Sequence, residues 1–136
     1  MPNVTVVGIA TNIKKGKVVV LWTPREEEPY KGIWSLPVFR TNSYERTKDA
    51  VERGVKEITG LGYTVRFFDY FDEIIQADDI HLIMLVFECL ATGKLRGHKE
   101  VEGLKWVSIE KADSMSLAFE HDQILKAYTE QMKGER

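Results

Sequence analysis

Three positions of one predicted helix, Gly54, Glu57 and Ile58, are spaced so that they share one helical face. They stand at i, i+3 and i+4, and residues at this spacing are neighbours on a helix surface. Three carboxylates there would offer the oxygen ligands that Mg²⁺ takes together with waters and substrate phosphates. The chain supplies one carboxylate, Glu57, because glycine has no side chain and isoleucine cannot ligate a metal. A solvated surface charge is the competing interpretation of Glu57.

The helix that carries this face is predicted from about Tyr44 to Thr59. Ser43 is its predicted N-cap and Gly60 its predicted end, since serine accepts a hydrogen bond from the first turn and glycine adopts the left-handed conformation after the last. Small and apolar residues recur inside it at helical spacing, and they are Ala50, Val51, Gly54, Val55 and Ile58.

The other elements follow from β-rich runs and one further helical pattern. Strands are predicted at residues 4–13, 17–23, 63–75, 80–92 and 104–109, with a tight turn at the glycine of "KKGK" and a short extended piece at "WSLP". Residues 119–134 predict a C-terminal helix. Sheet and helices therefore mix, and the predicted class is α/β or α+β.

Composition limits the kind of protein this is. A chain of 136 residues with 43% apolar and 29% charged residues suits one domain spanning residues 1–136. The net charge of −2, with both signs interspersed, argues against nucleic acid and anionic membranes as partners but not against a small phosphate-bearing molecule. The single cysteine, Cys89, excludes an intrachain disulfide, and no apolar run has the length of a membrane span. We expect a cytoplasmic protein.

The stretch around the first helix resembles the Nudix box, Gly-x5-Glu-x7-Arg-Glu-U-x-Glu-Glu-x-Gly-U, in which U is aliphatic. Six of the nine defined positions agree. The three departures are Phe39 for the first glycine, Gly54 for the glutamate after arginine, and Ile58 for the second of the paired glutamates. The box falls on Phe39, Glu45, Arg53, Gly54, Val55, Glu57, Ile58, Gly60 and Leu61.

Segments outside the box are similar to the same family. "GKVVVLWTPR" followed by "YKGIWSLP" resembles the lead-in strand and the Trp-x-Leu-Pro element, and "EVEGLKWVSIEKA" resembles a late strand. "LAFEHDQIL" is similar to a segment of ADP-ribose-type members. The resemblance implies the Nudix fold, a mixed, curved β-sheet sandwiched between helices.

The resemblance also implies an activity and a set of residues for it. Nudix enzymes cut a nucleoside diphosphate derivative at its pyrophosphate with water, and box glutamates hold Mg²⁺ or Mn²⁺. Carried over to this chain, Glu57 and Glu45 are the metal-ligand candidates, Arg53 orients the box carboxylates, and Glu100 stands near the water. Glu57, Arg53 and Glu100 are thus the catalytic candidates, although an exposed loop glutamate is the competing interpretation of Glu100.

Two residues are candidates for holding the ligand. Arg25 follows the second predicted strand, where the resemblance implies a charged residue that contacts a substrate phosphate, and Trp34 is the candidate to stack on a base. A solvated loop arginine and ordinary core packing are the alternatives. The histidines have no spacing typical of a zinc site, and His121 is expected to pack or cap within the last helix.

Two functions remain open from the sequence. The first is a Nudix protein that binds an ADP-ribose-like nucleoside diphosphate derivative and has weak or rearranged metal-dependent hydrolysis, with Gly54 and Ile58 impairing the site. The second is a catalytically silent Nudix domain that acts as a nucleotide sensor or a protein-interaction module. The sequence leaves a homodimer open in both cases.

Overall fold

The computed structural model describes residues 2–26, 28, 30–91, 103–112 and 117–134. These residues form seven strands and three helices, joined by single 3₁₀ turns at Gln76–Asp78 and Ala118–Glu120. The strands are β1 (Asn3–Lys14), β2 (Lys17–Pro24), β3 (Trp34–Ser35), β4 (Val38–Phe39), β5 (Tyr63–Ile75), β6 (Ile80–Ala91) and β7 (Lys105–Ser108). The helices are α1 (Thr47–Thr59), α2 (Ile109–Ala112) and α3 (His121–Gly134).

The strands form one mixed sheet in the order β3-β2-β1-β6-β5, with β4 pairing with β1 and β7 with β2. β1 and β6 run parallel, with Val6 opposite Leu85, and the remaining pairs are antiparallel. The apolar strand β6 lies between β1 and β5, as its composition favours. The predicted mixed α and β class is confirmed.

Alternation along the strands divides the apolar side chains between two faces of the sheet. On one face, the α1-side core joins α1 to the sheet through Val6, Ala10, Leu21, Ala50, Val51, Val55, Val65, Phe87 and Cys89. On the other, the α3-side core joins α3 to the sheet through Val7, Ile9, Val20, Trp22, Met84, Val86, Phe119, Ile124, Leu125 and Tyr128. The sheet therefore lies between α1 and α3, as predicted.

Helix α1 begins later than the sequence predicts. It starts at Thr47 after an N-cap at Arg46 that makes no side-chain capping bond, and Tyr44 has a left-handed backbone with φ of 64°. The prediction of a start at Tyr44 with a Ser43 cap is therefore wrong. The predicted end is confirmed, since Gly60 adopts φ 73° and its N–H donates to the carbonyl of Lys56.

Cys89 is buried in the α1-side core, and burial raises the pKa of its thiol to about 12, so the side chain behaves as a small hydrophobe. Within the described part of the chain, no helix has the length and hydropathy needed to cross a membrane.

Candidate functional site

The segment before α1 is tied to the helix by Arg53. Arg53 Nε donates to Glu45 Oε2 at 2.8 Å, and its Nη2 donates to Glu45 Oε1 at 3.0 Å and to the carbonyl of Arg40 at 3.2 Å. Glu45 Oε1 also accepts from the backbone N–H of Asn42 at 3.0 Å. Two guanidinium nitrogens of Arg53 therefore bind the two carboxylate oxygens of Glu45. This bidentate arrangement is the strong form of an arginine–carboxylate contact.

The electrostatics of Glu45 follow from these bonds. Hydrogen bonds from Arg53 foremost, and then from the Asn42 backbone, lower the pKa of Glu45 to about 2. Glu45 in turn raises the pKa of Arg53. The Glu45 carboxylate is ionised at neutral pH, but its oxygens are already occupied by protein donors. It therefore orients the loop before α1 more directly than it offers a ligand.

Glu57 lies one helical turn after Arg53 and forms a second ion pair with it. Its Oε2 lies 3.7 Å from Arg53 Nη1, and its side chain is 67% exposed. Arg53 thus contacts both carboxylates that the resemblance singles out. Glu57 is the sole carboxylate among positions 54, 57 and 58.

Phe39 and Gly54, two of the three departures from the box, are in direct contact. A Cβ placed on Gly54 would lie 2.4 Å from Cδ1 and 2.5 Å from Cε1 of the Phe39 ring. Real Cβ contacts are longer than this, so any side chain at position 54 requires the ring to move. The aromatic ring therefore takes the space in which the family pattern puts a glutamate.

Ile58, the third departure, completes an apolar surface beside that ring. Ile58 and Phe39 are half-buried against the α1-side core, and both line a cavity of about 700 Å³. Glu45, Arg53 and Glu57 lie next to this wall and are not among the described residues that line the cavity. The side of the cavity that adjoins α1 is thus a hydrocarbon wall.

The cavity is charged in other places. Arg25 and Arg40 line it from the β2 end and from the segment after β4, and three carboxylates, Glu26, Glu28 and Asp79, also line it. The Arg25 guanidinium lies 4.6 Å from the centroid of the Phe119 ring, a cation–π arrangement that holds both groups at the cavity wall. The two arginines suit a ligand with a phosphate group, and the Phe119 ring suits a ligand with an apolar ring.

The described residues do not fit a divalent metal at this face. No group of three His, Cys, Asp or Glu side chains within the described ranges is placed to hold an ion. The physical reasons are the Phe39 ring over Gly54, the hydrocarbon of Ile58, and the engagement of Glu45 by Arg53. Mg²⁺ requires oxygen ligands in near-octahedral geometry, and positions 54, 57 and 58 of α1 offer one exposed carboxylate, that of Glu57.

The functional roles of all the predicted site residues remain predictions. Glu100 lies outside the described residues. Trp34 packs against the α3-side core, and Lys105 Nζ lies 5.8 Å from the centroid of its ring. Among the described residues, Trp34 is not one of those that line the cavity. Its face is therefore covered in part by a lysine.

Sequence reasoning missed two residues at the cavity. The sequence pattern does not distinguish Phe119, and it predicts packing or capping for His121, yet both residues line the cavity. The histidine is buried, with an exposed fraction of 0%. The "AFEH" segment was the available signal for both, but its likeness to the family pointed to a ligand class without indicating which atoms face the cavity.

Most of the chain matches the model of one protein family. A model described as the NUDIX domain matches residues 1–128. The chain belongs to the Nudix family. It is similar to the ADP-ribose pyrophosphatase of Methanocaldococcus jannaschii, with 27% identity over 135 residues, which are 98% of this chain and 76% of that protein.

Solved structures share the same fold. One is the Nudix domain of Shewanella oneidensis NrtR in complex with ADP-ribose, with a TM-score of 0.79, 19% identity, and coverage of 97% of this chain and 89% of that one. NrtR in complex with a 27mer DNA has a TM-score of 0.82 and 18% identity, and this chain spans 63% of its length. The MutT protein of Methanosarcina mazei has a TM-score of 0.73 and 23% identity over 97% of this chain and 96% of that one.

Proposed function

We propose that this Nudix domain binds a nucleoside diphosphate derivative of the ADP-ribose class in the cavity between α1 and the start of α3. We further propose that it hydrolyses such a ligand slowly or not at all with Mg²⁺ or Mn²⁺. The observation that carries the proposal is the apolar wall of Phe39 and Ile58, which occupies the place of box carboxylates, beside a cavity that keeps Arg25 and Arg40.

The binding half of the proposal rests on size and charge. A cavity of about 700 Å³ is within the range of small-molecule sites, which run to about 1,000 Å³. The two arginines provide charge-assisted donors for phosphate oxygens. The Phe39 and Phe119 rings supply apolar surface for a sugar or a base. Similarity to an ADP-ribose pyrophosphatase and to a Nudix domain solved with ADP-ribose supports this ligand class.

The catalytic half of the proposal rests on what the wall lacks. Pyrophosphate cleavage develops negative charge that the family neutralises with divalent metal, and the metal also activates water. Glu57 alone on the α1 face, with Glu45 bonded to Arg53, gives a metal few oxygens. The arginines of the cavity can orient an anionic ligand. The carboxylates near α1 are too few to hold the divalent metal that the reaction needs.

A hydrolysis screen and a binding assay test the two halves separately. ADP-ribose, nucleotide sugars, dinucleoside polyphosphates and nucleoside triphosphates are incubated with Mg²⁺ or Mn²⁺, and we expect rates far below the median enzyme value of about 10 s⁻¹. Thermal shift is then measured in EDTA with ADP-ribose and with ribose 5-phosphate. We expect ADP-ribose to raise the midpoint more, because it can use both the arginines and the rings.

Control variants place the binding in the cavity. Arg25→Gln should reduce the shift given by ADP-ribose, whereas Lys133→Gln, at the exposed end of α3, should leave it unchanged. Ordinary turnover by the wild type would overturn the catalytic half of the proposal. The absence of a shift with every nucleotide at millimolar concentration would overturn the binding half.

Binding without turnover is what a nucleotide sensor requires, and this is the second candidate function. The specific observation in its favour is the similarity to NrtR, which has been solved with ADP-ribose and with DNA. The net charge of this chain, −2, argues that its own partner is not DNA. A ligand-dependent change in affinity for a protein partner would distinguish the sensor from a slow enzyme.

A further inference from the structure

The chain is held in an unusual conformation where it enters α3. Phe119 and Glu120 are consecutive non-glycine residues with positive φ, 54° and 56°, a conformation that costs free energy for any residue with a Cβ. The bend places Phe119 and His121 together at the cavity, with their ring centroids 5.8 Å apart. Strain of this kind is found where a structure needs particular side chains in particular places.

One ring nitrogen of His121 has a protein partner that fixes the state of the ring. Nδ1 accepts a hydrogen bond from the backbone N–H of Leu36 at 3.0 Å. Leu36 is fully buried and lies between β3 and β4, so this bond satisfies a donor outside the sheet ladders. A neutral imidazole that accepts at Nδ1 carries its hydrogen at Nε2. The tautomer is therefore Nε2–H.

The other ring nitrogen is a donor without a partner among the described residues. His121 Nε2 is buried and makes no hydrogen bond there, although buried polar groups are nearly always bonded. The same residue is one of those that line the cavity, although its side chain has no exposed surface. A molecule in the cavity can supply the acceptor that this N–H lacks if its binding displaces the atoms that cover the ring.

The surroundings of His121 keep the ring uncharged. Burial foremost, and then the positive charge of Arg25, lower the pKa of His121 to about 3. The ring is thus a neutral donor throughout the physiological range. Anionic phosphate oxygens gain more from the charge-assisted donors of Arg25 and Arg40, which leaves the neutral N–H suited to an uncharged acceptor.

We infer that His121 is a ligand-binding residue of this cavity, and that its Nε2–H donates to an uncharged oxygen or nitrogen on the sugar or base of the bound nucleoside diphosphate derivative. The inference rests on the proposed function, because it assumes that such a derivative occupies the cavity. It adds a specific atom to that function, and it predicts that a phosphate compound without a sugar or a base leaves this donor unused.

Two substitutions separate the two ring nitrogens. The side chain of His121→Asn can place its oxygen near the position of Nδ1, where it can accept from Leu36, and it leaves nothing at the position of Nε2. The longer side chain of His121→Gln can place an amide N–H near Nε2 and gives up the Leu36 acceptor. Folding stability should therefore be higher for the asparagine variant, and ligand binding should be tighter for the glutamine variant.

Calorimetric titration with ADP-ribose in EDTA measures which variant binds more tightly. Urea unfolding measures which variant is more stable. Loss of one neutral hydrogen bond corresponds to a five- to tenfold weakening, and we expect about that loss for His121→Asn relative to wild type. A purely structural role would make binding follow stability, with asparagine above glutamine. Equal affinity of wild type and His121→Asn would likewise overturn the inference while leaving the proposed function intact.

A measurement on the wild type covers the case in which the variants do not fold. In protein labelled with ¹⁵N-histidine, the His121 Nε2–H resonance should move on saturation with ADP-ribose and stay in place with inorganic pyrophosphate. A resonance that does not respond to bound ADP-ribose would overturn the inference. Wild-type protein that binds no nucleotide in any assay would overturn the proposed function, and the inference with it.

Discussion

The ring of Phe39 stands in the space that a side chain at Gly54 would need, 2.4 Å from the position of its Cβ. The two residues are therefore structurally coupled, since the ring can pack against α1 only because position 54 is a glycine. Both are departures from the Nudix box, and each explains the other. A glycine in the interior of a helix costs up to ~1 kcal/mol relative to alanine, and here the packing of an aromatic ring offsets that cost.

The first prediction concerns this coupling. Gly54→Ala should destabilise the wild type by about 1–3 kcal/mol, because overpacking outweighs the gain in helix propensity. In a Phe39→Ala background the same substitution should be neutral or stabilising. Urea unfolding of the four proteins gives the coupling energy directly. Gly134→Ala, at a helical glycine with nothing within 4 Å of its Cβ position, is the control. Stabilisation of the wild type by Gly54→Ala would contradict the coupling.

The second prediction concerns restoration of a metal site. Gly54→Glu and Ile58→Glu alone leave the Phe39 ring in the way, so we expect metal binding only when Phe39→Gly is added. The triple variant then has three carboxylates on one helical face, which suits a small divalent ion. Calorimetric titration with Mn²⁺ should show binding by the triple variant and none above dilution heat by the wild type.

A matched variant isolates charge from shape in that experiment. Phe39→Gly with Gly54→Gln and Ile58→Gln has nearly the same volume but adds no carboxylate, so its Mn²⁺ binding should stay at the wild-type level. Wild-type protein that binds Mn²⁺ as tightly as the glutamate variant would show that the metal is held by other residues. In that case the apolar wall would not determine the activity.

Local patterns predicted the fold well because most elements are specified by their own residues. The β5 run at residues 63–75 is the observed strand Tyr63–Ile75, since β-branched and aromatic residues between turn signals define it locally. The start of α1 was missed because the contact of Glu45 with Arg53 is tertiary, and it takes the preceding residues out of the helix.

The site was less accessible from the sequence than the fold was. Spacing on one helix brings Arg53 and Glu57 together, and the structure shows that contact. The contact of Phe39 with Gly54 and the bond from Leu36 to His121, 85 residues apart, join segments that no local pattern relates. Such contacts depend on how the loops pack onto the sheet, which propensity and periodicity do not encode.

The third prediction concerns the ion pair of Glu45 and Arg53. Because hydrogen bonds from Arg53 foremost lower the pKa of Glu45 from 4.5 to about 2, Arg53→Gln should raise that pKa toward its ordinary value. Carbon-detected NMR titration of the Glu45 carboxyl measures the shift. The folded pKa is depressed, so the stabilisation is present above pH 4.5 and is lost as the pH falls toward 2. Lys56→Gln, on the same helix, is the control and should leave the Glu45 titration unchanged.

The last prediction concerns acid stability and His121. Its pKa is lowered from 6.5 to about 3, chiefly by burial, so below pH 6.5 the unfolded chain takes up a proton that the folded protein does not. The stabilisation that comes from keeping His121 neutral is therefore complete above pH 6.5, and it is lost as the pH falls from 6.5 toward 3. The slope is at most about 1.4 kcal/mol per pH unit.

Between pH 6.5 and 4.5 the Glu45 contribution has not yet begun to fall, since that group loses its stabilisation only below 4.5. Glu73 acts with the opposite sign, because burial foremost raises its pKa and its contribution is lost as the pH rises. Glu45 and Glu73 are present in both wild type and His121→Asn. Their contributions therefore cancel in the difference between the two unfolding free energies. We expect that difference to shrink steadily from pH 6.5 to 4.5, because asparagine cannot be protonated in this range. A difference that stays constant across the window would show that the folded protein accommodates a charged His121, and the neutral-donor role would then fail.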